Sequence, residues 1–302
     1  MRWEKLGRIF VPDGSIPWMQ THAAVPIPEL IEGNLYRIYF SSRDANNRAH
    51  VGWITISMDA PLEIIDYSKE PLLTPGTIGT FDDSGALGNY IINVKHKKYL
   101  YYTGFNLGVL TPFRYAIGLS ISEDNGNTFK KFSKGPIIDR NSKEPYFMSS
   151  PSILYENNIF RAWYVSCVNW SVENDKLKHY YHIKYGESEN GVDWKLEGIV
   201  CIDFKNRDEY AIASPRVVYE NGIYKMWYSY RGEFYKIGYA ESSDGIVWQR
   251  KDEWMDFTVS ETGWDSEMVE YSYIFDHKNA RYMLYNGNGY GKTGFGIAKL
   301  IK

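Results

Sequence analysis

Three features of the 302-residue sequence predict an all-β chain folded as a five-bladed β-propeller. Aromatic residues make up 17% of it, a high share for a globular domain. A short strand dense in Tyr and Trp recurs five times at intervals of about 60 residues, longer than a helical repeat and right for four strands with their loops. Helical periodicity is nearly absent, whereas short alternating apolar segments are frequent.

The recurring strands read LYRIYFSS (35–42), KYLYYTG (98–104), FRAWYVS (160–166), YKMWYSY (224–230) and RYMLYNG (281–287), with Tyr39, Tyr102, Tyr164, Tyr228 and Tyr285 aligned. Each is expected to follow an apolar first strand. A third strand with small residues comes next, as in AIGLSIS (116–122), IKYGESE (183–189) and IGYAESS (237–243). The turns Asp124-Asn125-Gly126-Asn127, Glu189-Asn190-Gly191 and Ser243-Asp244-Gly245 then supply residues that tolerate positive φ in tight hairpins. Fourth strands open at Phe129, Trp194 and Trp248. The fifth unit reaches Lys302 after only three strands. Residues 2–10 provide the missing one, because Trp3-Glu-Lys-Leu-Gly-Arg-Ile echoes Trp194-Lys-Leu-Glu-Gly-Ile-Val. A ring closed by both termini removes the sheet edges that invite aggregation, so residues 1–302 read as one domain although length alone would suggest two.

Composition narrows function. Hydrophobic residues at 44% and charged residues at 24% exclude disorder, collagen and coiled coil. With 34 Lys and Arg against 37 Asp and Glu, the net charge of -3 offers no basic field for nucleic acid or an acidic membrane surface. No apolar run reaches the roughly 18 residues of a membrane span, and the start MRWEKLGRIFVPDG lacks a signal-peptide core, so a cytoplasmic chain is expected. Cys167 and Cys201, without CxxC spacing, read as reduced core thiols; the six His show no ligand spacing, and no cofactor is expected. The stretch from Asn286 to Thr293 imitates a phosphate loop but has Asn where Gly is required and leads into a strand, so it reads as a glycine-rich hairpin.

The blade signatures Ser150-Pro151-Ser-Ile-Leu-Tyr-Glu-Asn…Ala-Trp-Tyr and Ser214-Pro215-Arg-Val-Val-Tyr-Glu-Asn-Gly…Met-Trp-Tyr carry a family likeness. Together with the following Gly-x-Glu/Ala-x-Ser-x-Asp/Asn-Gly-x-x-Trp, they resemble the five-bladed propellers shared by arabinanases, β-xylosidases, invertases, levansucrases and β-mannoside phosphorylases. The resemblance implies a carbohydrate-active enzyme, a glycoside hydrolase or a glycosyl-transferring or phosphorolytic relative, acting on a small-molecule or oligosaccharide substrate. It also implies catalytic acids at the starts of the innermost strands, and it leaves room for a structural cation at the axis. The chain departs from the pattern at Thr21-His22-Ala23-Ala24, Ser149-Ser150-Pro151 and Ala213-Ser214-Pro215, where the carboxylates of those relatives are missing.

Two other first-strand starts are acid-rich: Phe81-Asp82-Asp83-Ser84-Gly85 and Trp264-Asp265-Ser266-Glu267-Met268-Val269-Glu270-Tyr271. In a closed ring, blades five, one and two are neighbours, so these acids would converge with His22. Glycosidic cleavage needs one protonated and one ionised carboxyl across the scissile bond. Asp83 and Glu270 form the leading pair, Glu267 is the reserve, and Asp82 lies beside them; the alternative is that Asp82 and Asp83 cap a turn and Glu267 is a solvated loop acid. Arg43 with Asp44, and Arg231 near Glu233, read either as clamps for sugar hydroxyls or carboxylates or as structural pairs between blades. Arg216 follows Pro215 on an inner strand with little room for an unpaired charge, so a contact with substrate or a rim acid is expected, and Glu209-Tyr210 just upstream could supply the partner. Trp170 belongs with Trp18, Tyr146, Phe147, Tyr180 and Tyr181 to the loop aromatics available for sugar stacking, whereas the repeating Trp163, Trp227 and Tyr228 read as core. The rival readings are a non-catalytic sugar-binding propeller and a protein scaffold.

Overall fold

A computed structural model describes all residues from 1 to 302. After β1 (Trp3–Phe10), the chain forms β2 (Thr21–Glu32), β3 (Leu35–Arg43), β4 (Ala49–Ser57) and β5 (Ala60–Tyr67). There follow β6 (Gly85–Val94), β7 (Lys97–Leu107), β8 (Phe113–Ser122) and β9 (Lys130–Lys131), then β10 (Met148–Glu156), β11 (Ile159–Glu173), β12 (Lys176–Ser188) and β13 (Lys195–Ile202). The remainder are β14 (Ala211–Glu220), β15 (Ile223–Arg231), β16 (Tyr235–Ser242), β17 (Gln249–Arg250), β18 (Glu270–His277), β19 (Ala280–Asn286) and β20 (Phe295–Leu300). Helix is confined to a 3-10 turn at Asp252–Trp254 and a short turn at Asn288–Gly291.

Hydrogen bonding makes one four-stranded and two eight-stranded sheets. Each larger sheet is two antiparallel four-stranded arrays joined by a single parallel bridge, Ala49 to Gly85 in one and Tyr181 to Ala211 in the other. In the smaller sheet β1 runs antiparallel to β20, with Trp3 opposite Leu300 and Phe10 opposite Phe295. The array-leading strands touch in a cycle: β2 on β6, β6 on β10, β10 on β14, β14 on β18, and β18 back on β2.

The aromatic second strands are buried on both faces because arrays stack on either side of them. In β15, Tyr224, Met226 and Tyr228 face one neighbour and Trp227 the other. Aromatic polar tips bond across the seams: Trp163 Nε1 donates to the Gly245 carbonyl at 2.7 Å and the Tyr101 hydroxyl to the Gly191 carbonyl at 2.9 Å. The expected turn chemistry is present there, with φ of 75° at Gly191 and 78° at Gly245.

Every array-leading strand is bulged at the same point, between Ala24 and Ile27, Gly88 and Tyr90, Ser149 and Ser152, Ala213 and Arg216, and Glu270 and Tyr273. A bulge frees a backbone amide from its ladder. In four arrays a side chain from the preceding second strand accepts an amide there: Ser41 from Gly88 and Thr103 from Ser150, each at 3.0 Å, and Ser229 from Tyr271 and Asn286 from Val25, each at 2.8 Å. The Asn286 bond joins the last array to the first. Its Nδ2 also donates to the carbonyls of Ala23 and Gly294, at 2.6 and 3.0 Å, within a fully buried site. Asn286→Ala would take the acceptor from the Val25 amide and a donor from the carbonyls of Ala23 and Gly294, the last of which keeps the Gly287 amide, and should cost about 2–3 kcal/mol, read as a lowered midpoint in thermal or urea unfolding. An unchanged midpoint would mean that the seam is held elsewhere.

A second device recurs. Asp82, Glu144, Glu209 and Asp265 stand just upstream of β6, β10, β14 and β18, all buried. Each meets a cation from the third or fourth strand of its own array: Lys131 at 2.5 Å, Lys184 at 3.2 Å, Arg250 at 2.5 Å and Lys5 at 2.7 Å. The hydroxyls of Tyr102, Tyr164 and Tyr285 donate to three of them.

Candidate functional site: a buried glutamate among tyrosines and arginines

In an antiparallel array the first strand begins where the second ends and the third begins. One end of the molecule therefore gathers the start of β18 at Glu270, the end of β15 at Arg231, the start of β16 at Tyr235, the start of β2 at His22 and the end of β3 at Arg43.

Glu270 is fully buried, and neither carboxylate oxygen has a hydrogen-bond partner. The Tyr271 side chain and the Tyr290 amide lie nearby without closing a bond of good geometry, and Arg231 supplies the nearby positive charge. Burial dominates and pushes this carboxyl well above the ordinary 4.5, against the pull of Arg231. Burial thus favours the protonated form of Glu270.

Arg231 Nη1 donates to the Tyr290 hydroxyl at 2.6 Å, and its guanidinium lies 4.9 Å from the ring centres of both Tyr210 and Tyr235. The hydroxyls of Tyr235 and Tyr181 bond to each other. Tyr290 is held at φ 60°, a left-handed conformation that a tyrosine rarely adopts, and this aims its ring into the cluster. Trp170 packs at a tilt within 4.7 Å of His179, which lies 5.2 Å from Tyr181 and 5.3 Å from Phe113. Burial and then Arg231 depress His179 to about 4. His22 falls to about 4 as well, through burial, then Arg43, then Lys292. Both imidazoles are neutral at pH 7 and able to donate from one nitrogen and accept at the other.

Of the residues picked from sequence, Glu270, Arg231, Tyr210, His22, Arg43 and Trp170 are at this end. Arg43 points to Asn47 at 2.9 Å rather than to Asp44. Asp44 instead anchors its own turn through Arg48 and His50, at 2.8 and 3.2 Å. Asp82 and Glu209 belong to the recurring ion pairs, and a feature present in four arrays is scaffold where a binding site is single. Glu209 consequently does not meet Arg216, which lies on the axis against Tyr90 and Tyr273. Asp83 is half-buried; its oxygens accept from Asn106 and Ser84, both at 2.8 Å, and from the Gly79 amide at 3.0 Å. Burial raises its pKa, but these bonds prevail and set it below the ordinary value. No hydrogen bond or ion pair joins it to Glu270. Glu267 is exposed, its amide held by Asn288 at 2.8 Å. Among the stacking candidates, Trp18 is core, packed on Phe40. Sequence reading passed over Tyr290, Tyr235 and His179; the first sits in the supposed hairpin, and the others open third strands that look like scaffold. A surface groove of about 990 Å³ lies at the opposite end, where Lys98 pairs with Glu29 and Lys97 with Glu123, each at 2.5 Å.

No protein-family model matches the chain. In fold it superposes on a glycosyl hydrolase from Bacteroides ovatus with a TM-score of 0.74, covering 98% of this chain and 93% of that one at 14% identity. A thermostable family-43 glycoside hydrolase gives 0.67, with 94% and 89% covered at 17% identity. The Bombyx mori GH32 β-fructofuranosidase BmSUC1 gives 0.63, with 99% and 62% covered at 14% identity. The chain shares its fold with these hydrolases. In sequence it is 42% identical over 302 residues to the uncharacterized protein Rv1502 of Mycobacterium tuberculosis, covering 99% of each chain, and it belongs to that protein's family.

Proposed function

We propose that residues 1–302 form one five-bladed β-propeller closed by β1, and that it is a cytoplasmic glycosidase-type enzyme acting on a small-molecule or oligosaccharide substrate. The observation that carries the enzymatic reading is Glu270, a wholly buried carboxyl with no hydrogen-bond partner, in a rim of tyrosines, neutral histidines and arginines. Such a group is a ready proton donor to a leaving glycosidic oxygen. Asp83, kept ionised by its three donors, is the proposed base or nucleophile, with Glu267 in reserve; opposed environments of this kind separate an acid from a base. Trp170 and its aromatic neighbours offer a ring face to sugar, while Arg231 and His22 offer donors to hydroxyls. Closure is supported by the β1–β20 pairing and by the cycle of leading strands. Two buried, unbridged cysteines suit a reducing compartment.

The cations Arg43, Arg231 and Lys292 favour an anionic group near the acid, so phosphate is the co-substrate to add first. A panel of aryl-glycosides with and without phosphate tests the reading: turnover that Glu270→Gln removes supports it, and no turnover with any donor overturns it. Arg231→Lys keeps the charge but loses the fork, and should lower kcat/KM about 10-fold. An unchanged value would take Arg231 out of substrate binding. The rival, a sugar-binding propeller without catalysis, is favoured by His22, Ser149 and Ala213 standing where related enzymes carry acids. Calorimetry showing binding without turnover, lost in His22→Ala, would establish it.

A further inference from the structure

The five bulges enclose a narrow axial cavity whose lining includes Asn89, Ser150, Ser214, Arg216 and Ser272. We propose that it holds one small inorganic anion, chloride under cellular conditions, bound by Arg216 and Ser272. The Arg216 guanidinium lies 3.6 Å from the ring centre of Tyr273 and 4.4 Å from that of Tyr90. These faces attract the charge but leave the in-plane N–H groups without acceptors. Nε and Nη1 are buried and donate to nothing, and the Ser272 hydroxyl, on a residue only 4% exposed, is also unpartnered.

Charge decides between water and an anion. Arginine keeps its charge, two of the three guanidinium nitrogens of this half-buried residue are withdrawn from solvent without an acceptor, and no carboxylate lines the cavity. The nearest acid on the chain N-terminal to β14, Glu209, is committed to Arg250. A water would accept one N–H bond but leave the charge uncompensated, whereas a halide accepts from both nitrogens and from Ser272 while neutralising it. The space open to a water-sized particle is about 20 Å³, which suits one small ion better than a sugar. A structural cation, for which the family resemblance leaves room, would meet a guanidinium where it needs carboxylates, so these residues do not fit it. The inference is independent of whether Glu270 catalyses anything.

Crystals soaked in sodium bromide should show an anomalous peak within hydrogen-bonding reach of Arg216 Nε and Nη1. In solution, the melting temperature should rise with chloride or bromide relative to gluconate at equal ionic strength, because a ligand that binds only the folded state stabilises it. Ser272→Ala, which keeps the guanidinium, should shift that halide dependence to about 10-fold higher concentration; Arg216→Met should abolish it, and if that variant does not fold, Ser272→Ala and the bromide peak still decide. Equal melting in halide and gluconate with no bromide peak would overturn the proposal in favour of water, as would a halide effect that Ser272→Ala leaves unchanged.

Discussion

Glu270→Gln should lower turnover by about 10²–10⁴-fold and at the same time raise the melting temperature at neutral pH. Amide and carboxylic acid are nearly isosteric, so packing around the first residue of β18 is kept and only the proton is lost. The stability gain follows from linkage. Glu270 titrates higher in the folded chain than the 4.5 of an unfolded one. Below that value both states hold the proton and nothing is lost. As pH rises above it the unfolded state releases its proton first, and stability falls until the folded value is passed. Gln removes this slope, so the gap between variant and wild type should widen as pH rises above 4.5. The histidines act in the opposite direction: His22 and His179 are depressed to about 4, so their contribution is complete above 6.5 and lost as pH falls through 4. An acid-side loss common to both proteins and an alkaline divergence between them would assign each slope to its group. Parallel melting curves across this range, with unaltered turnover, would remove Glu270 from the role of acid.

The strands could be read from sequence because their signal is local. Aromatic second strands, small-residue third strands and Asn-Gly or Asp-Gly turns fall where the periodicity puts them, and the Trp3 echo of Trp194 located β1 beside β20. The site was harder to read because its signals are not local. Asp82 and Asp83 are adjacent, yet one is drawn to Lys131, 49 positions away, while the other stays in its loop. Only the fold tells them apart. Tyr290 was hidden because a glycine-rich stretch predicts a turn without saying that one of its left-handed residues is a tyrosine aimed at Arg231. The Ser-Pro neighbours place Arg216 on the inner strand, but π faces leave no charge pattern in a sequence, so substrate or a rim acid is the expected partner where the fold supplies Tyr90 and Tyr273.

The largest loss of stability is expected at the other end of the chain. Trp3 is 6% exposed and packs with Trp227, Phe257, Tyr285 and Ala298, so a residue near the N-terminus fills a core built by residues from 227 onward. Truncating it removes a large buried ring and leaves a cavity, at a cost of about 3–5 kcal/mol, a substantial part of the 5–15 kcal/mol typical of a folded domain. The consequence is more than a cavity. With its main anchor gone, β1 frays from β20 and bares a row of unpaired amides and carbonyls on a strand that it had covered, a template for edge-to-edge association. Trp3→Ala should therefore melt roughly 10 °C lower and aggregate in a concentration-dependent way on warming. Arg2→Ala is the matched control, since Arg2 is largely exposed and only 4.0 Å from an equally exposed Asp256; it should melt like wild type. If both variants melt together near the wild-type temperature, β1 is an appendage and the sheet of β18, β19 and β20 is stable without it. If only Trp3→Ala collapses, the first ten residues hold the last array in place, and the fold depends on joining its two ends.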